Sequence, residues 1–123
     1  MTDLPTTSDF NLTPAIFHIL LALADGERHG YAIMQAVLQE TDGSMRLGPG
    51  TLYRSLRIML AHKLIAESDE RPDPALDDER RRYYYLTNLG QQVLQAEIER
   101  LYRLVQRAQS KRLLYKPQME GAL

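Results

Sequence analysis

Two groups of arginines have the residue type and spacing that suit contact with a nucleic acid. Arg54 and Arg57 are three residues apart, so they would share one side of a helix. A planar guanidinium can bind a guanine edge through two hydrogen bonds or hold a backbone phosphate. Arg80, Arg81 and Arg82 form a consecutive triplet, of which at most two side chains can share one face of a strand. We expect these two to contact the backbone or the narrow minor groove of a duplex.

Each arginine group also has an alternative interpretation that the sequence leaves open. An isolated arginine on a helix is usually a solvated surface residue. The triplet could instead form ion pairs with the acidic residues that precede it, namely Asp69, Glu70, Asp73, Asp77, Asp78 and Glu79. The nucleic-acid interpretation therefore requires both groups to lie on one side of the fold, with the acidic segment pointing away from the phosphates.

The sequence offers little for catalysis or metal binding. Its three histidines, His18, His29 and His62, are far apart and not at the spacing of metal ligands. The absence of cysteine excludes disulfides, cysteine nucleophiles and Cys-ligated metals. There is no P-loop, and Gly48-x-Gly50 lacks the rest of a dinucleotide-binding fingerprint. We therefore predict that the protein is not an enzyme and uses no metal or cofactor.

The composition is that of one modest globular domain. The chain has 123 residues, of which 44% are hydrophobic and 25% charged. Its net charge of −1 is not that of a nonspecific nucleic-acid binder, so any binding face must come from uneven placement of charge. The polar segment Met1–Asp9 does not resemble a signal peptide, and no apolar run approaches the ~18 residues of a membrane span. We expect a cytoplasmic protein without membrane contact.

Apolar spacing predicts three short helices in the first half of the chain. The first begins at Thr13-Pro14, a favourable N-cap and N1 pair, and ends near Asp25-Gly26. The second runs from about Gly30 to Thr41 and includes Tyr31 in its apolar face. The third starts after Gly48-Pro49-Gly50-Thr51, because two glycines around a proline are not expected in a helix interior. Its buried stripe consists of Leu52, Leu56, Met59 and Leu60.

Strand-like sequence follows these helices, and a long helix completes the chain. Residues 64–68 and 80–86 predict two strands of a hairpin, with 69–79 as a long loop. We expect Tyr83 and Tyr85 to be core or packing residues, and the alternative is that they stack on bases. Thr87 or Asn88 caps a helix that runs to about Leu114. Its apolar residues are spaced 4, 3, 4 and 3, which predicts a coiled-coil dimer seam of Leu94, Ile98, Leu101, Val105 and Ala108.

Three helices followed by a β-hairpin predict a winged helix-turn-helix, a mainly α fold with a small β-hairpin (α+β). We assign residues 12–87 to this domain, 1–11 to an N-terminal arm, 88–115 to a dimerisation helix and 116–123 to a tail. The third helix of this fold enters the DNA major groove. The predicted contacts to double-stranded DNA are Gly50, Thr51, Tyr53, Arg54, Arg57, Arg80, Arg81 and Arg82. A winged helix can alternatively act as a protein–protein docking module that does not bind DNA.

Several short motifs in this order resemble the PadR family of bacterial transcriptional regulators. They are His29-Gly30-Tyr31, Gly48-Pro49-Gly50-Thr51-Leu52-Tyr53, Leu64-Ile65 and Tyr83-Tyr84-Tyr85-Leu86-Thr87 before Gly90. Members usually carry a serine where this chain has Gly48. The resemblance covers roughly residues 13–108 and implies a winged-helix homodimer, joined through its C-terminal helix, that usually represses promoters.

The resemblance also implies a small-molecule effector. Some members release DNA when a small aromatic or lipophilic compound binds between the domain and the dimer helix. One branch lines this site with tryptophan, which is absent from this chain. Phe17 and Tyr102 could line a smaller site here, and the alternative is that both simply pack at the dimer interface.

Overall fold

The computed structural model describes residues 12–68, 71–72 and 80–113, with side chains omitted at 71, 72, 80 and 81. The predicted arm, the acidic residues 73–79 and the predicted tail lie outside these ranges. Four helices and five short strands are present. In chain order they are α1 (Pro14–Leu23), β1 (Arg28–His29), α2 (Gly30–Glu40), α3 (Pro49–Ala61), β2 (Ile65–Glu67), β3 (Arg71–Pro72), β4 (Arg80–Arg81), β5 (Tyr83–Leu86) and α4 (Asn88–Ser110). The mainly α class with a small β component is confirmed.

Side chains cap three of the four helices at their N-termini. Thr13 accepts a hydrogen bond from the Ile16 amide at 3.1 Å, and Thr87 accepts one from the Gly90 amide at 3.0 Å. His29 caps α2 by accepting from the Ala32 amide through Nδ1 at 3.2 Å. These bonds satisfy amides that have no partner inside the helix. The predicted caps Thr13 and Thr87 are therefore confirmed.

The sheet is larger than the predicted hairpin. Strand β5 lies between β1 and β2 and is antiparallel to both. Strand β1 was not predicted, because two residues are too few to show an alternating pattern. Strands β3 and β4 also pair, so Arg71–Pro72 is strand and not loop as predicted. The predicted strand 80–86 is interrupted at Arg82, between β4 and β5.

Two tyrosine predictions are wrong. Tyr84, not Tyr85, is the core residue of β5, with 4% of its surface exposed against 41% for Tyr85. Because side chains alternate along a strand, burial of Tyr84 turns Tyr83 and Tyr85 to the other face. Tyr31 is 56% exposed, because the buried residues of α2 are Gly30, Ile33, Ala36 and Val37.

Helix α4 is fixed to the rest of the domain at its first turn. The Thr87 hydroxyl donates to the Lys63 carbonyl at 2.7 Å and lies 3.0 Å from the Leu64 carbonyl, which also accepts from the Thr87 amide. Gly90 packs directly on the Leu64 carbonyl. Because glycine has no side chain, α4 can approach the backbone of Leu64 closely at this point. The helix ends at Ser110, four residues before the predicted end. No helix in the described ranges could span a bilayer.

Candidate nucleic-acid interface

Helix α3 has one buried side and one fully exposed side. Leu52, Ser55, Leu56 and Met59 are buried against the core. At about 3.6 residues per turn, the side opposite to them carries Gly50, Arg54, Arg57 and Ala61, all of which are exposed. We call these four residues the α3 ridge. Its small end residues allow close approach of the helix to another surface, while the two arginines project from its middle.

The surroundings of the α3 ridge are cationic. Arg54 and Arg57 form no ion pair with any residue that the structure describes. Arg46 is also exposed, in the connection between α2 and α3, where its neighbour Leu47 is buried in the core. No acidic residue occurs between Asp42 and Glu67. A chain of net charge −1 thus has a local excess of positive charge around α3, which DNA binding by such a chain would need.

Thr51 and Tyr53 lie on the two flanks of the α3 ridge. Thr51 is exposed near the start of the helix, where Gly48 provides no side-chain cap. Tyr53 is 48% exposed, and its hydroxyl packs against Gly30, the first residue of α2. Tyr53 therefore packs the flank of α3 against the start of α2. The sequence predicted only a DNA contact for this residue and not this packing role.

The hairpin lies beside the start of α2, and its described residues include an ion pair between β2 and Arg82. The His29 ring packs edge-on against Tyr83 of β5, with ring centroids 5.4 Å apart. Arg82 binds Glu67 across the hairpin, with its Nη1 3.2 Å from Oε2. At Arg82, therefore, the alternative ion-pair interpretation is realised, although with a residue outside the acidic segment. Burial, followed by the nearby Glu67 carboxylate, raises the pKa of the neighbouring Tyr84 hydroxyl.

The predicted dimer seam divides into a buried and an exposed part. Leu94 is 4% exposed and belongs to the core of its own chain. Ile98, Leu101 and Val105 are 42%, 37% and 41% exposed, and Ala108 is half-buried. Leu104 and Tyr102 lie on the flanks of this row and are also exposed, so the apolar face is wider than the a/d spacing predicted. We call Ile98, Leu101, Tyr102, Leu104 and Val105 the α4 apolar face.

The two predicted effector residues are on different helices. Phe17 is half-buried on α1 and packs edge-on against His18, whereas Tyr102 is 62% exposed on α4. A cavity of about 390 Å³ lies between the end of α1, β5 and α4, with Leu23, Glu27 and Leu94 among its lining residues. Neither Phe17 nor Tyr102 lines it. Within the described ranges, no group of three or more His, Cys, Asp or Glu residues could hold a metal.

Comparisons with known proteins agree with this architecture. The model of the transcriptional regulator PadR-like family matches residues 19–96. A PadR family transcription regulator from Clostridium difficile is 25% identical, with a TM-score of 0.64 over 83% of this chain and 100% of that one. Bacillus subtilis PadR, solved with operator DNA, is 21% identical, with a TM-score of 0.61 over 71% of this chain and 48% of that one.

One curated relative also matches. A 37.1 kDa protein in transposon Tn4556 of Streptomyces fradiae is 38% identical over 86 residues, which is 70% of this chain. The present chain spans only 22% of the length of that relative. The family match extends from α1 through the hairpin into α4.

Proposed function

The chain belongs to the PadR-like family of transcriptional regulators, and from that premise we propose that it represses a promoter by binding one palindromic operator as a homodimer. The family consists of transcription regulators and not enzymes, and one fold relative was solved with its operator DNA. The observation that carries the proposal is the α3 ridge, an exposed helix side with small residues at its ends and two arginines that form no ion pair with the residues that the structure describes.

Recognition of the operator follows from the shape and charge of this surface. The major groove is about 12 Å wide and accepts an α-helix. With the α3 ridge in the groove, Arg54 and Arg57 reach base edges or phosphates, and the exposed Thr51 lies beside the entering turn. Because adjacent residues of a strand face opposite sides, only one of Arg80 and Arg81 contacts the backbone, whereas Arg82 already binds Glu67. This division assigns sequence reading to α3 and positioning to the hairpin.

Dimerisation follows from the exposed apolar side chains of α4. Burial of apolar surface stabilises association by roughly 25 cal/mol per Å² before the entropic costs of binding. The α4 apolar face gives each subunit a continuous surface that a second copy can cover. Two subunits related by a twofold axis present two α3 ridges to half-sites about one helical turn apart. Leu94 and Ala108 lie at the two ends of this proposed interface and not at its centre.

The effector part of the proposal comes from the family resemblance. A small aromatic or lipophilic compound between the winged-helix domain and α4 would change their relative position and weaken DNA binding. Phe17 and Tyr102 are the aromatic residues that we assign to this site, one on each helix. Because the proposed target is promoter DNA and the resemblance is to bacterial regulators, we also propose a cytoplasmic location.

Fluorescence anisotropy tests DNA binding directly. The purified chain is titrated into labelled DNA from just upstream of its own gene, at several salt concentrations and with a scrambled duplex as competitor. Tight, competitor-resistant binding that weakens steeply with salt supports the proposal, since released counterions report phosphate contacts. Failure to bind this DNA and a random-sequence pool would instead support the protein–protein docking module.

A further inference from the structure

We propose that the Tyr31 hydroxyl is a further DNA contact, which donates a hydrogen bond to one backbone phosphate and is held in place by Gln35. This inference rests on the proposed function, because it requires the α3 ridge to face DNA. Neither the sequence motifs nor the comparisons assign this contact, and the apolar spacing of α2 predicted that Tyr31 would be buried.

The location of Tyr31 is set by the two elements on either side of it. Gly30, the residue before it, packs against the Tyr53 hydroxyl on the flank of α3. His29, one residue earlier, packs edge-on against Tyr83 of β5, which leads out of the hairpin. The start of α2 therefore lies between the helix and the hairpin that contact DNA in the proposed function. Tyr31 is a large exposed side chain at this junction, with 56% of its surface accessible.

The orientation of the hydroxyl follows from its hydrogen bond to Gln35. The Gln35 Nε2 amide, one turn along α2, donates to the Tyr31 oxygen at 2.7 Å. A phenol has one O–H to donate in addition to its acceptor sites. Because Gln35 is the donor in this hydrogen bond, the Tyr31 O–H can still donate to a second group. No described protein group accepts that hydrogen bond. Phosphate oxygens are acceptors, and tyrosine is among the side chains that bind them.

A tyrosine contact differs measurably from an arginine contact. Arginine displaces condensed cations from the phosphates, so its loss lowers the slope of log affinity against log salt by about one. The Tyr31 hydroxyl is neutral and displaces no cation. Its loss therefore lowers affinity for all sequences alike and leaves the salt slope unchanged.

The test uses a duplex that the wild-type protein selects from a random-sequence pool. Tyr31→Phe removes only the hydroxyl, and we expect it to weaken binding about tenfold at unchanged salt slope. Tyr85→Phe is the matched control, since Tyr85 is also an exposed tyrosine. We expect this variant to bind the duplex with the affinity of the wild type. Gln35→Met should weaken binding in the wild-type background and cause no further loss in Tyr31→Phe, because Gln35 acts through Tyr31.

A second measurement identifies the phosphate. Uncharged methylphosphonate is substituted at each backbone position of the selected duplex in turn, and every duplex is titrated with wild type and Tyr31→Phe. We expect one backbone position per half-site at which methylphosphonate makes the wild type and Tyr31→Phe bind with equal affinity. At that position neither protein can form the hydrogen bond between Tyr31 and the phosphate. Tyr31→Phe that binds the unmodified duplex like the wild type would overturn this inference and leave the proposed function intact. Selection of no duplex by the wild type would overturn both.

Discussion

The hydroxyl oxygen of Tyr53 lies 2.5 Å from the position that a Cβ atom would occupy at Gly30. Tyr53 belongs to α3, the helix that carries Arg54 and Arg57, and Gly30 is the first residue of α2. The absence of a side chain at Gly30 is therefore what allows α3 to pack at its observed distance from α2. This contact is one of those that position α3 against the rest of the domain.

Substitution of Gly30 tests how strongly this contact constrains α3. We expect Gly30→Ala to lower the free energy of unfolding by about 1–3 kcal/mol, because the new methyl group overpacks the contact with Tyr53. Urea denaturation measures the change as a shift in the midpoint. Tyr53→Phe removes the nearest atom, so the double variant Gly30→Ala/Tyr53→Phe should recover part of the loss. Equal stability of Gly30→Ala and wild type would show that Tyr53 moves aside without cost.

Substitution of Arg54 tests base reading by the α3 ridge. We expect Arg54→Ala to weaken binding to the selected operator by about 1–3 kcal/mol and to relax the preference at one base position of each half-site. Competition titrations against operators with single base changes measure both effects, with Arg57→Ala examined in parallel. Weaker binding with an unchanged base preference would assign Arg54 to a phosphate instead.

Substitution of Leu101 tests the α4 apolar face. Leu101→Asp places a carboxylate in the centre of this face, so we expect monomers in sedimentation and loss of operator binding at the same protein concentration. Ala96→Asp is the matched control, because it adds the same charge at an exposed position on the opposite side of α4. A Leu101→Asp variant that remains dimeric would exclude this face as the interface.

The Glu97–Arg100 ion pair predicts a specific pH dependence of stability. Glu97 is 9% exposed and accepts from Arg100 Nε at 2.9 Å, and this bond lowers the pKa of its carboxyl below 4.5. A carboxyl with a lowered pKa stabilises the fold above pH 4.5, and this contribution is lost as the pH falls through the lowered value. We expect Arg100→Gln to lower the melting temperature slightly at pH 7, by an amount that shrinks below pH 4.5.

The control for this prediction is Arg103→Gln, which removes the same charge from an exposed position without an ion pair among the described residues. Its melting temperature should follow that of the wild type at every pH. A difference between Arg100→Gln and Arg103→Gln that persists unchanged at low pH would contradict an electrostatic origin and indicate lost packing of the Arg100 side chain.

Local sequence signals predicted most of the fold. Thr13-Pro14 and Thr87 mark helix starts because a hydroxyl that accepts an amide hydrogen bond is a local event that few other residues can replace. The exposed positions of Arg54 and Arg57 followed from helical spacing alone. These features depend only on neighbours within one turn.

Tertiary contacts decided the features that the sequence did not predict. Three consecutive tyrosines carry no alternation of polarity, so the sequence could not indicate that Tyr84 is the one facing the core. Leu94 has the spacing of a seam residue but packs in its own chain because α4 starts against Leu64. The apolar spacing of α2 placed Tyr31 among the buried residues, but its side chain is exposed. The spacing within α2 therefore could not predict the position of Tyr31 near α3.

The central claim is that the α3 ridges of a dimer read an operator, and selection from a random-sequence DNA pool tests it most directly. The purified protein is incubated with the pool at physiological salt, and bound duplexes are sequenced over successive rounds. We expect enrichment of an inverted repeat whose half-sites lie about 10 base pairs apart, centre to centre. A bound fraction with the same sequence composition as the input pool would contradict it.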